Sequence, residues 1–224
     1  MFIRAEYSVG PDLRFLSNLD MNRMMARSFR RASIPYALSQ GFNPHIKFSL
    51  GTVLPVGVWG EKEYFDIELS DFLSAPDFIK RLNEVLPSEV FINKALFLPK
   101  APAALMRIIN GASYAFVFKK GYNLAKLRED ILRSSSLIVK SRGKKKDIEK
   151  DLRPGIFKIE IEHIEDVDVL KLWVATNQPI NVRYDELLAL FSNFGIDYEI
   201  IDVYRKGNYI RLGEDFYSPL EKVS

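Results

Sequence analysis

The run from Lys62 to Leu69 alternates more cleanly than any other in the chain. Phe65, Ile67 and Leu69 fall on one side, and Tyr64, Asp66 and Glu68 fall on the other. A period of two is that of a β-strand with one face buried. Such a chain needs a sheet whose apolar face packs on helices, and two further segments supply strands of the same kind. Residues 45–50 place Ile46, Phe48 and Leu50 opposite His45, Lys47 and Ser49. Residues 2–9 alternate and stop at Gly10-Pro11, a turn signal. With Ile3, Ala5 and Tyr7 inward, Arg4 and Glu6 join the polar face. The pattern predicts an open polar sheet face in which Lys47 pairs with Asp66 across neighbouring strands.

Between these strands the periodicity becomes helical. Ser17 is placed to cap a helix, with Asp20 at capping-box spacing, and the helix runs to about Ala32, short of Pro35. A short helix over 76–86 and a strand over 89–98 complete the order βαββαβ, the split-βαβ or ferredoxin-like motif. Pro99 to Pro102 has the character of a linker. From Ser113 the order recurs: strand 113–119, helix 123–134, strands 137–140, 157–162 and 170–175, helix 185–194 ending at Gly195, and strand 198–204. The expected fold is therefore α+β, two tandem ferredoxin-like units, the second with an extra strand. The expected boundaries are 1–98, a linker over 99–112, and 113–224 with a basic loop at 140–154.

Composition narrows the function. At 224 residues and 47% hydrophobic content a sizeable core is affordable. The chain has no cysteine, which excludes disulfides, thiolate zinc sites and an iron–sulfur cluster held by this chain. No metal site is expected, because no second histidine stands at ligand spacing. No apolar run is long enough to span a bilayer. The start, Met1-Phe2-Ile3-Arg4-Ala5-Glu6, lacks the apolar core of a secretion signal, so the cytoplasm is the expected location.

The net charge of +3 is small, so any argument for a nucleic-acid partner rests on clustering. Two basic clusters exist. Arg23, Arg27, Arg30 and Arg31 fall on the helix face opposite Met21, Met25, Ser28 and Ala32, with no acid among them. Guanidinium groups so arranged suit phosphate oxygens, although a solvated helix face reads the same way. Lys140 to Pro154 holds seven cations, among them Lys144, Lys145, Lys146 and Arg153, diluted by Asp147, Glu149 and Asp151. A basic loop of this kind suits phosphate gripping. His45 follows the turn-rich Gln40-Gly41-Phe42-Asn43-Pro44 and is a candidate general acid or base. Gln40, Asn43, His45, Lys47, Tyr64 and Asp66 form the expected polar working surface. A turn or a domain interface explains them equally well.

The strings Leu13-Arg14-Phe15-Leu16-Ser17-Asn18-Leu19-Asp20, Ser39-Gln40-Gly41-Phe42-Asn43-Pro44-His45, Leu54-Pro55-Val56-Gly57-Val58 and Asp151-Leu152-Arg153-Pro154 resemble a bacterial family of unknown function linked to radical S-adenosylmethionine (radical-SAM) proteins. The resemblance covers nearly the whole chain. Asn18 stands where the family has histidine, and Ile46 where it has a second proline. The resemblance implies a radical-SAM partner, which would carry the iron–sulfur cluster and S-adenosylmethionine, and no cofactor in this chain. It also implies a setting in RNA or ribosome maturation and adds Arg14 to the phosphate-binding candidates.

Three functions follow as expectations. The first is an RNA-binding or substrate-presenting accessory protein that is not itself catalytic. The second is an RNA-processing or RNA-modifying enzyme using His45, Asp20 or Asp151, by fold-level analogy with CRISPR repeat-cleaving endoribonucleases and some pseudouridine synthases. The third is a protein-interaction module without RNA contact.

Overall fold

The computed structural model describes residues 1–141 and 148–223. The chain divides into two compact units. One comprises Met1–Ile109 with Gly207–Ser224, the other Asn110–Lys206. No helix among the described residues is long and apolar enough to cross a membrane.

In the first unit, β1 (Phe2–Val9), α1 (Asn18–Arg31), β2 (Phe48–Leu50), β3 (Trp59–Glu68), α2 (Ala75–Asn83) and β4 (Val90–Leu98) follow in that order. The strands lie as β4-β1-β3-β2, each antiparallel to its neighbour. Ser17 caps α1: its Oγ accepts the Asp20 N–H at 3.2 Å and donates to the Asp20 carboxylate at 2.6 Å. Ser74 and Asp77 do the same for α2. Each cap satisfies a helix N–H that would otherwise lack a partner.

The amphipathic pattern of α1 resolves as its spacing requires. Met21, Met25, Ser28 and Phe29 are buried. Phe29 meets Phe48 and Phe65 at ring-centroid distances of 5.2 and 5.6 Å, and Phe65 meets Tyr7 and Phe78 at 5.7 and 6.2 Å. These rings join both helices to three strands and form the centre of the first core.

Two corrections to the expected boundaries concern chain ends. Residues 99–109 do not form a free linker. They carry a short helix α3 (Leu105–Ile108), whose Leu105 packs with Ile109 against Tyr64. The C-terminal residues 207–223 also belong to the first unit, and Leu220 packs on the same small cluster. Apolar Leu105, Ile108 and Ile109 lie within a segment whose prolines read as linker, and that masked their packing.

The second unit holds β5 (Gly111–Lys119), α4 (Leu124–Arg133), β6 (Ile138–Ser141), β7 (Ile148–Asp151), β8 (Ile156–Ile164), β9 (Val167–Ala175) and α5 (Tyr184–Asn193). The strand β10 (Ile200–Leu212) belongs to it as far as Lys206. The order is β10-β5-β9-β8. The strand expected at 137–140 is β6, and it pairs with β7 in a separate two-stranded sheet. The Lys150 ammonium on β7 meets the buried Glu186 carboxylate on α5 at 2.7 Å, which ties that hairpin to the helix. Gly195 follows α5 with φ +68°, the left-handed conformation a helix stop requires. A last short strand, β11 (Asp215–Tyr217), pairs with β10.

Because Phe65 is fully buried among aromatic rings from three elements, Phe65→Ala is expected to cost about 3–5 kcal/mol of stability. Urea unfolding followed by circular dichroism measures this, and a loss below about 1 kcal/mol contradicts the core described.

Candidate functional site

The polar face of β1 and of the middle of β3 is closed. Arg4 lies directly opposite Asp66 in the β1–β3 register and is fully buried. Its Nε and one terminal nitrogen bind the two Asp66 oxygens at 2.7 and 2.9 Å. The remaining donors reach the carbonyls of Ala103 at 2.7 Å and Pro219 at 3.3 Å. Beside this pair the Tyr64 hydroxyl donates to Glu6 at 2.7 Å and lies 3.2 Å from Ser218 Oγ. Burial pushes the Tyr64 phenol far above its ordinary range. Asn208 donates to Glu63 at 3.0 Å and accepts from Thr52 at 2.7 Å. The cover over this face comes from residues 103–109 and the C-terminal segment of the same unit. An alternating strand has the same sequence whether its polar face meets water or buried polar partners.

Tyr64 and Asp66 are therefore buried rather than presented as a working surface. The expected Lys47–Asp66 pair does not form. The register sets Ser49 opposite Asp66, and Lys47 binds Glu68 at 3.1 Å instead.

The helix side of the unit is open. Arg23, Arg27, Arg30 and Arg31 are all exposed. Arg23 lies 3.8 Å from Asp20, Arg27 Nε donates to the Arg23 carbonyl at 3.3 Å, and Arg31 donates to the Val85 carbonyl at 2.8 Å. A groove of about 670 Å³ runs along α1, lined by Leu13, Leu16, Met24 and Pro87 with Asp20, Arg27, Arg30 and Arg31. Its volume lies within the roughly 300–1,000 Å³ of small-molecule sites. Its floor is apolar, and three guanidinium groups stand along it. Asp20 is the one acidic side chain in this lining, against three arginines. Arg14 is half-buried and donates to the Pro11 carbonyl at 2.8 Å.

At Ser39–His45 the chain forms a closed, exposed loop. The Ser39 N–H donates to the His45 carbonyl at 2.8 Å, and the His45 N–H donates to Ser39 Oγ at 3.0 Å. Ser39 Oγ also lies 2.9 Å from His45 Nδ1. Gly41 sits at φ +122°, a conformation that favours glycine, and Phe42 at the tip is 106% exposed. Phe42 was not singled out from the sequence. The turn residues around it, Gly41 before and Asn43-Pro44 after, were the available signal that it stands at a tip.

The remaining candidates are held in the fold. Asp20 serves the α1 cap. Asp151 accepts the N–H groups of Leu137 and Arg153 at 2.7 and 2.9 Å. Arg153 donates to the carbonyls of Ile156 and Leu132 at 3.1 and 3.3 Å. His163, in the second unit, binds Asp168 at 2.6 Å, and that hydrogen bond holds the Asp168 carboxyl below its ordinary range. Lys144, Lys145 and Lys146 lie outside the described residues. Among the described residues no group of three or more histidine and acidic side chains is placed to hold a metal ion.

The first unit thus carries an arginine-lined groove along α1 and an exposed, closed loop at Ser39–His45. The chain belongs to a bacterial family described as an uncharacterized protein conserved in bacteria (DUF2344), whose pattern it matches over residues 3–184. No curated protein matches it. Among solved structures it is similar to a chain in the "Crystal Structure of a Cbf5-Nop10-Gar1 Complex", at 11% identity and a TM-score of 0.44. That similarity covers 92% of this chain and 46% of the other, so the chain spans about half the length of the chain it matches.

Removing the carboxylate of Asp66 strands a buried guanidinium, so Asp66→Ala is expected to cost about 3–5 kcal/mol. An exposed Asp66 would lose within about 0.5 kcal/mol on the same substitution. Chemical denaturation of the two proteins separates these outcomes.

Proposed function

We propose that this protein is a cytoplasmic RNA-binding accessory protein, built from two ferredoxin-like units, that presents RNA or an RNA-bound substrate to a radical-SAM partner. The observation that carries this reading is the exposed arginine face of α1, set along an apolar groove whose lining includes three arginines and one acid, Asp20. Phosphodiesters are the biological anions such a face fits best: they recur along a chain, and each accepts a bidentate guanidinium contact. Strand orders of β4-β1-β3-β2 in one unit and β10-β5-β9-β8 in the other support the ferredoxin-like reading.

In this reading the chemistry belongs to the partner, with its cluster and S-adenosylmethionine. The support for that partner is the sequence resemblance and the lack of cysteine in this chain. The exposed Phe15, Leu19, Val53 and Val56 offer apolar surface for a protein contact. The covered sheet face takes no part in RNA binding.

Filter binding of single-stranded RNA across a salt series tests the RNA half. The wild type should show a steep salt dependence. Replacing Arg27 and Arg30 together by alanine should weaken binding and lower the slope of log K against log salt by about 1.4, two contacts at about 0.7 each. Binding that ignores salt, or no binding at all, overturns the reading. Recovery of a radical-SAM protein from the native host after nuclease treatment tests the partner half.

A further inference from the structure

We infer that the Ser39–His45 loop is a base-reading finger, on which Phe42 stacks against an unpaired nucleobase. This deepens the RNA reading above and rests on it. Four observations on this loop converge. Phe42 is fully exposed, and no ring or cation of the chain packs on it among the described residues. Leaving a phenylalanine ring wholly in water forgoes about 1.5–3 kcal/mol of burial, so its position at a tip makes sense when a partner supplies the second surface. The hydrogen bonds between Ser39 and His45 close the loop at its base and hold the tip in one shape before any ligand arrives, which lowers the ordering cost of binding.

The side chains around the ring supply the matching polar groups. Gln40 and Asn43 are exposed on either side of Phe42 with no partner among the described residues, and His45 offers Nε2. A planar apolar face with amide donors and acceptors beside it fits the π-face and edge of a nucleobase. A protein pocket would also bury the ring, but an apolar anchor of that kind is usually ringed by further apolar side chains, and here glutamine, asparagine and histidine surround it. Charge agrees with RNA as well: the loop contains no carboxylate and lies within the acid-free residues 21–60. Bases are reachable for stacking only where they are unpaired, so the finger selects single-stranded RNA over duplex.

The test uses full-length protein with a uridine-rich single-stranded oligonucleotide and a duplex of equal length. In fluorescence anisotropy, Phe42→Ala is expected to weaken single-strand binding by about 5- to 150-fold, the range for loss of one base–aromatic stack, and to leave duplex binding unchanged. Phe42→Trp should retain affinity, and its added tryptophan emission, above that of Trp59 and Trp173, should be quenched by the single strand and not by the duplex. If Phe42→Ala binds single strands like the wild type while the Arg27/Arg30 double variant does not, the finger is overturned and the arginine reading stands. Loss of a co-purifying protein from Phe42→Ala, with RNA affinity unchanged, would assign the tip to a protein contact and also overturn it. If the wild type binds neither RNA, both readings fall.

Discussion

The buried pair between Arg4 and Asp66 decides which surfaces of the first unit are available for anything else. A guanidinium taken fully out of water is tolerable only when its donors are matched, and here two carboxylate oxygens and two backbone carbonyls match them. Those carbonyls belong to residues 103 and 219, far apart in sequence. The pair therefore fastens the segment after β4 and the C-terminal segment onto the same face of the sheet. Tyr64, Glu6 and Ser218 extend this polar layer, and Leu105, Ile109 and Leu220 close it with apolar contacts. With that face sealed, the outer side of α1 and the loop before β2 are left open.

Much of the fold was legible because it follows from periodicity. The alternation in β1 and β3, the Ser17 cap, the methionine stripe of α1 and the stop at Gly195 each have a local physical cause, and each appears where that cause puts it. The separate β6–β7 hairpin was half legible: β6 shows as a strand, while the charged Ile148–Asp151 does not look like one. The polar face was illegible in kind. Arg4, Glu6, Tyr64 and Asp66 alternate correctly, and alternation does not say whether water or a folded-back segment meets the outer side chains. That depends on contacts between residues about one hundred and two hundred positions apart, such as Arg4 with Ala103 and Pro219.

The candidate site divides along the same line. The arginines of α1 are exposed as helical spacing dictates. Alternation puts Lys47 on the correct side of its strand but does not give its partner, because a shift of register changes which carboxylate it meets. The hydrophobicity of Phe42 alone suggests a core residue, and only its place at a turn tip says otherwise. The net charge of +3 conceals the local field. At physiological salt, charges interact over about 8 Å, so four exposed arginines on one helix, set against Asp20 in the groove, leave a local excess of positive charge.

The central claim is that the first unit meets RNA through α1 and the Ser39–His45 loop and keeps its sheet face sealed. Amide hydrogen exchange with and without single-stranded RNA tests it most directly. The account predicts RNA-dependent protection confined in the first unit to α1 and residues 39–45, with β1, β3 and residues 215–223 already slow and unchanged. Protection that appears instead on β1 and β3, together with faster exchange in the C-terminal segment, would mean that RNA displaces the cover and binds the sheet, and would contradict it.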